Sequence, residues 1–168
     1  EVMSKGWDEV KYYRAALTSV VTHKKSGKKF FFIATHGPLG KEASAHAGRI
    51  LVEIDRKYNV EGLPSIVVGD MNASPDKPFY LTACEYFDDA FVVARKKCGT
   101  IGTFNGAKGL EINFDMPERR IDHIYVHSTD KGQLVVKEYV VNRDKFVSDG
   151  QSYYPSDHNP VVADIVCM

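Results

Sequence analysis

Phe30-Phe31-Phe32-Ile33-Ala34 is the stretch that decides the fold class. Five consecutive apolar residues without polar alternation read as a central strand covered on both faces. Beyond it the chain passes through Thr35-His36-Gly37-Pro38 into a segment from Lys41 to Tyr58. There Ala43, Ala47, Ile50, Leu51 and Ile54 keep helical spacing. Residues 65–68 return to a strand pattern. Farther out, 16–22, 121–126, 134–141 and 161–166 read as strands. Residues 79–94 read as a second helix, starting after Pro78 and ending near the basic run Arg95-Lys96-Lys97. Ala73-Ser74-Pro75-Asp76-Lys77-Pro78 must be a loop, because its prolines remove backbone donors. The stretch 99–117, with four glycines and little periodicity, reads as a long functional loop. The sum is a mixed α/β architecture with helices laid against sheets.

The 168 residues carry no repeat, low-complexity tract or dividing linker, so they read as a single domain over 1–168. With 43% hydrophobic and 26% charged residues the balance is that of a globular protein. Lysine plus arginine number 22, as do the acids, so no global cationic field favours nucleic acid. Local basic pairs such as Lys24-Lys25 and Arg119-Arg120 read as solvated rim charge. Three cysteines without a Cys-x-x-Cys spacing argue against a disulfide framework or a zinc ribbon; a single Cys84–Cys98 bridge stays open, and the redox compartment with it. No apolar run approaches the ~20 residues that span a bilayer. The chain starts at Glu1 without a targeting signal, so location is unassigned, with secreted, periplasmic and cytoplasmic placements all open.

Polar clusters sit at the ends of several of these strands. In Gly69-Asp70-Met71-Asn72 alternation puts Asp70 and Asn72 on one face and Met71 on the other. The carboxylate suits a hard cation or a nucleophilic water, and the amide suits a phosphoryl oxygen. The competing reading is a turn in which both side chains bond local amides. In Ile121-Asp122-His123-Ile124 the acid and the imidazole point to opposite layers. Ser156-Asp157-His158 invites a Ser/His/Asp reading, but neighbouring extended residues diverge and no Gly-x-Ser-x-Gly elbow exists. One of Asp157 and His158 then binds an ion and the other moves a proton, with Asp122 free to orient His158. His36 closes the strand 31–35, where a lone histidine is more often structural, yet its position repeats that of Asp70.

Together these elements resemble the endonuclease/exonuclease/phosphatase superfamily. The order is Thr35-His36, Gly69-Asp70-Met71-Asn72-Ala73-Ser74-Pro75, Thr103-Phe104-Asn105-Gly106, Arg120-Ile121-Asp122-His123-Ile124-Tyr125-Val126 and Ser156-Asp157-His158-Asn159-Pro160-Val161. The superfamily includes deoxyribonucleases, apurinic endonucleases, deadenylases, sphingomyelinases and inositol polyphosphate phosphatases. The resemblance implies a four-layer α/β/β/α sandwich of two packed sheets and a Mg²⁺- or Mn²⁺-dependent phosphoesterase. It implies that Asp70 positions the attacking water and that Asn72 binds the phosphoryl group. Asp157 would be a metal-side carboxylate, and His158, oriented by Asp122, a general base or phosphate contact. His36 would bind the scissile phosphate or protonate the leaving group, and Asn105 would lie beside the substrate.

The chain departs from the family pattern twice. After Thr35-His36 the family usually shows Leu and an acid, whereas here Gly37-Pro38-Leu39 follows. The family's principal metal-binding glutamate also comes from a segment upstream of anything matched here, so the chain reads as a domain lacking the N-terminal portion of the fold. Such a site should hold Mg²⁺ poorly and be weakly active or inactive in isolation. The sheet left open should self-associate or be marginally stable. The neutral charge balance favours a small phosphorylated substrate (sugar, lipid head group or nucleotide) over long nucleic acid. The rival from another class is a non-catalytic binding or scaffold module that keeps the fold.

Overall fold

A computed structural model describes residues 13–106 and 119–168. The chain runs β1 (Ala16–Thr22), β2 (Lys29–Thr35), α1 (Lys41–Tyr58), β3 (Ser65–Asp70), α2 (Pro78–Ala83), β4 (Asp88–Asp89), α3 (Ala90–Val93) and β5 (Lys96–Gly99). It continues with β6 (Asp122–His127), β7 (Leu134–Val141), β8 (Phe146–Ser148), β9 (Gln151–Tyr153) and β10 (Val161–Cys167). A five-stranded sheet has the order β1-β2-β3-β6-β4, a three-stranded sheet the order β10-β7-β5, and β8-β9 form a separate hairpin. β2 and β3 are parallel, with α1 as their crossover, and so are β5 and β7; the remaining pairs are antiparallel. Both large sheets are mixed or antiparallel, as expected.

Phe31, Ile33, Val67 and Tyr125 face α1 and α2, meeting Ala47, Leu51, Ile54 and Phe79 in one core. The opposite face of the same sheet offers Phe30, Ile66, Val68, Ile124 and Val126 to Val136, Tyr139, Val161 and Ile165 of the smaller sheet in a second core. The apolar run 30–34 is thus covered on both faces because two cores meet across it. Burying a side chain the size of Leu51 or Phe79 contributes about 2–3 kcal/mol each. Helix α1 keeps its expected bounds and buries the face Ala43, Ala47, Leu51, Ile54.

The helix expected over 79–94 is not continuous. It stops at Ala83, and a second turn of helix begins only at Ala90. Asp89 is the reason: its Oδ1 accepts the Phe91 N–H and caps α3, while its Oδ2 takes Arg120 Nη1 at 2.6 Å and the Tyr80 hydroxyl at 2.8 Å. A buried ion pair with a distant strand overrides local periodicity there. Two other elements escaped the sequence reading: β5, in which Lys96–Gly99 pairs with β7, and the β8-β9 hairpin turning at Asp149-Gly150, both at positive φ. Of the long loop over 99–117, Gly99 ends β5, 100–106 are irregular and 107–118 lie outside the described residues. All three cysteines are free, so the Cys84–Cys98 bridge is absent. Among the described residues no helix is long and apolar enough to cross a membrane.

Candidate active site

Strand register assembles the site. In the antiparallel β3–β6 pair Asp70 stands directly opposite Asp122, and two carboxylates in that relation repel unless something cationic or hydrogen-bonding lies between them. His158 fills that role from the loop before β10. Its Nδ1 lies 2.8 Å from Asp122 Oδ2 and its Nε2 3.9 Å from Asp70 Oδ2. His36 follows β2, which runs parallel beside β3, and places Nε2 3.3 Å from Asp70 Oδ2. Arg14 Nη1 donates to the other ring nitrogen of His36 at 3.3 Å. Asp70, Asp122 and His158 border an open cavity of about 550 Å³ lined also by Gly69 and Ser156.

Two glycines permit this convergence. A Cβ on Gly69, at φ 151°, would stand 1.8 Å from the Thr35 carbonyl oxygen, and one on Gly37 would stand 2.3 Å from that of Met71. With both absent, the Gly37 N–H reaches the Asp70 carbonyl at 2.7 Å and locks the end of β2 to the end of β3. Thr103 fixes the start of β6: its buried hydroxyl oxygen accepts the N–H groups of Ile121 at 3.0 Å and Asp122 at 2.9 Å. The loop carrying His158 is pinned by amides. Asn105 Nδ2 donates to Asn159 Oδ1 at 2.7 Å, its N–H donates to the Asp157 carbonyl at 2.8 Å, and Asn159 Nδ2 donates to the Gly102 carbonyl at 2.9 Å. The Phe104 ring stands edge-on to the His158 imidazole, with centroids 5.0 Å apart.

Burial pushes the Asp122 carboxyl above its ordinary range, while hydrogen bonds from Thr103 and His158 pull the other way. Next to it on β6, His123 faces the opposite layer and is sealed. Arg120 Nη1 donates to its Nδ1 at 3.0 Å, so that nitrogen is an acceptor and Nε2–H donates to the Ala73 carbonyl at 2.8 Å. The contact with Arg120 requires the neutral ring. Desolvation first, then the Arg120 charge, bring its pKa down to about 4.

Among the sequence candidates, His36, Asp70, Asp122 and His158 come together. Asn72 leaves the strand at φ 50°, so alternation does not extend to it; its N–H donates to Asp70 Oδ1 and its Nδ2 donates to the Gly37 carbonyl at 3.0 Å. The local-turn reading therefore holds for the Asp70 side chain, alongside its placement in the site, whereas the Asn72 side chain reaches across to the loop after β2. Asn105 is buried and holds the 156–159 loop. The Asp157 carboxylate is exposed and accepts from Ser156 Oγ at 3.3 Å. Among the described residues, those whose ligand atoms lie within 4.8 Å of one another are Asp70, Asp122 and His158, without Asp157. Ser156 Oγ accepts the His158 backbone N–H, whereas the ring turns to Asp122, in keeping with rejection of a Ser/His/Asp triad. Sequence reasoning missed Thr103, Asn159 and the Asp89–Arg120 pair. Arg120, expected as solvated rim charge, is instead buried and paired with Asp89.

The endonuclease/exonuclease/phosphatase family profile matches residues 5–158. A mannosyl-6-phosphatase of Bacteroides thetaiotaomicron is 26% identical, with a TM-score of 0.83 over 98% of this chain and 64% of its own. An endonuclease/exonuclease/phosphatase family protein of the same organism is also 26% identical, with a TM-score of 0.84 over 98% of this chain and 60% of its own. The human Nocturnin catalytic domain, 21% identical, shares the fold with a TM-score of 0.64 over 94% of this chain and 54% of its own. No curated protein sequence matches significantly. The chain spans 60–64% of the length of the two Bacteroides thetaiotaomicron structures. It belongs to the endonuclease/exonuclease/phosphatase family.

Proposed function

We propose that this family member hydrolyses a phosphoester of a small phosphorylated molecule, a sugar phosphate foremost, by attack of water activated at the Asp70–Asp122–His158 group. The observation that carries the reading is the His158 geometry. Asp122 accepts from Nδ1, which leaves the Nε2 lone pair facing the cavity beside Asp70. An imidazole held in that tautomer takes a proton from a water, and its carboxylate partner stabilises the imidazolium that forms. Asp70 orients that water through Oδ2, its Oδ1 being held by the Asn72 N–H. His36, half-exposed and 3.3 Å from Asp70 Oδ2, would contact a phosphate oxygen or the leaving group from the Asp70 side. Asn72 and Asn105, expected to touch substrate, act in this reading by shaping the loops around it, and Asp157 by accepting the N–H groups of Asn105 and Gly106 through its backbone carbonyl.

The Asp70 and Asp122 carboxylates of this close group would hold a divalent cation such as Mg²⁺ or Mn²⁺ through oxygen, leaving His158 Nε2 for the proton. When bound the cation would supply charge stabilisation for the phosphoryl oxygens. The choice of a small substrate is supported by the equal numbers of basic and acidic residues and by the 26% identity to a mannosyl-6-phosphatase. The test is turnover by the full-length protein of a generic phosphomonoester and a generic phosphodiester, with Mg²⁺, Mn²⁺ or chelator present. Turnover should need the cation and disappear in Asp70→Asn. Chelator-resistant turnover that survives Asp70→Asn would sink the proposal.

A further inference from the structure

The chain segments around His158 form a short ladder of their own. Phe104 pairs antiparallel with Arg119 on one side and with His158 on the other. The Phe104–His158 pair is framed by the Asn105 N–H on the Asp157 carbonyl at 2.8 Å and the Asn159 N–H on the Thr103 carbonyl at 2.6 Å. That makes it the non-hydrogen-bonded kind, in which facing side chains stand closest. Arg119, Phe104 and His158 therefore lie along one rung, with their side chains on one face. The contacts agree. The Arg119 guanidinium carbon lies 4.8 Å from the centroid of the Phe104 ring, and that ring lies 5.0 Å from the imidazole with an interplanar angle of 71°. Phe104 is only partly buried, whereas the core rings of Phe31, Phe79 and Phe87 are at most 3% exposed. Core packing alone does not account for an aromatic ring at that position.

His158 needs such a neighbour. Its Nδ1 bond to Asp122 at 2.8 Å fixes one ring atom and leaves the plane free to turn about it. The direction of Nε2, 3.9 Å from Asp70 Oδ2, depends on that plane. Phe104 supplies the second contact. Arg119, exposed at the end of the rung, lays a planar cation against the Phe104 ring and limits its motion in turn. We propose that Phe104 is a positioning residue that sets the plane of the His158 imidazole, with Arg119 as its brace. The effect on turnover rests on the phosphoesterase reading; the hold on the ring does not. Neither residue takes up substrate, so their loss lowers kcat through His158 and leaves KM as it was.

The experiment has two arms. In the first, ¹³C relaxation of the His158 ring is measured in the full-length protein, with the unfolding midpoint recorded for each variant. Phe104→Leu, which keeps apolar bulk without a plane, should lower the order of the ring, and Phe104→Tyr should keep it. Arg119→Ala, a change at the surface, should lower it by less, and it carries this arm if Phe104→Leu does not fold. A ring as ordered in the folded variants as in the parent protein would overturn the proposal. In the second arm, kcat and KM are taken for one phosphomonoester. Phe104→Leu should lower kcat about tenfold and Arg119→Ala about threefold, with KM within about twofold of the parent value. Phe104→Tyr should restore most of kcat, and Phe104→Leu should add nothing to the loss in His158→Ala. A raised KM with unchanged kcat would make the two residues substrate contacts, and a further tenfold loss on top of His158→Ala would show action apart from His158; either result overturns the proposal. No turnover of any phosphoester by the parent protein would refute the phosphoesterase reading, and the relaxation arm would still decide whether Phe104 holds the ring.

Discussion

Strand β6 carries the same chemistry twice, in opposite settings. On one face Asp122 pairs with His158, the two side chains 20% and 28% exposed beside an open cavity. On the other, His123 lies within 3.9 Å of Asp89 with both essentially inaccessible, and Arg120 sits between them. In the sealed cluster both ring nitrogens are engaged and Arg120 neutralises the acid, so no atom is left to meet a ligand. In the open pair only Nδ1 is engaged and Nε2 faces Asp70. The contrast teaches that an acid–imidazole pair becomes chemically useful through the nitrogen left over, more than through the pairing itself.

Breaking the open pair should cost activity. His158→Ala is expected to lower turnover by roughly 10²–10⁴-fold, the range for loss of a general base, with little change in thermal stability. Breaking the sealed cluster should cost the fold. Asp89→Ala strands the Arg120 guanidinium, which is 5% exposed, and should destabilise by about 3–5 kcal/mol, read as a lower midpoint in urea unfolding. The pH dependence sharpens the same contrast. His123 has a folded pKa of about 4 against an ordinary value of 6.5, so its neutral form stabilises the protein above pH 6.5. That stability is lost as pH falls toward 4, on the order of 3 kcal/mol in all, and no more is lost below it. His123→Gln, which can keep a donor to Ala73 and an acceptor for Arg120, should flatten the slope of stability between those pH values. A smaller effect is expected at the joint between the two clusters. Thr103→Val leaves two buried amides without their acceptor and should cost about 1–3 kcal/mol, with a drop in turnover well short of that in His158→Ala.

How much of this could be read from the sequence follows from what periodicity encodes. The apolar run 30–34, helix α1 and the strand ends carrying His36, Asp70, Asp122 and His158 were legible, because strands and helices with one covered face announce themselves. Asn72 was misplaced because alternation stops where the chain turns, and its positive φ is not written in its neighbours. Asn105 and Asp157 lie in loops, where no alternation sets side-chain direction: Asn105 turns to Asn159, 54 residues away, and Asp157 to the adjacent Ser156. Asp89 was hidden because 79–94 looks helical until the buried guanidinium of Arg120 is known to draw it out. Self-association stays a proposal; the residues it would cover include Leu17, 74% exposed, and Val20, 46% exposed, on the edge strand β1.

The most direct measurement is a side-by-side assay of His158→Ala and His123→Gln in the full-length protein, with turnover of one phosphomonoester and the unfolding midpoint recorded for each. The predicted result is a crossed pattern: His158→Ala loses turnover and keeps its midpoint, while His123→Gln keeps most of its turnover and shifts its midpoint. Retention of turnover in a folded His158→Ala protein would contradict the assignment of the open pair as the working site.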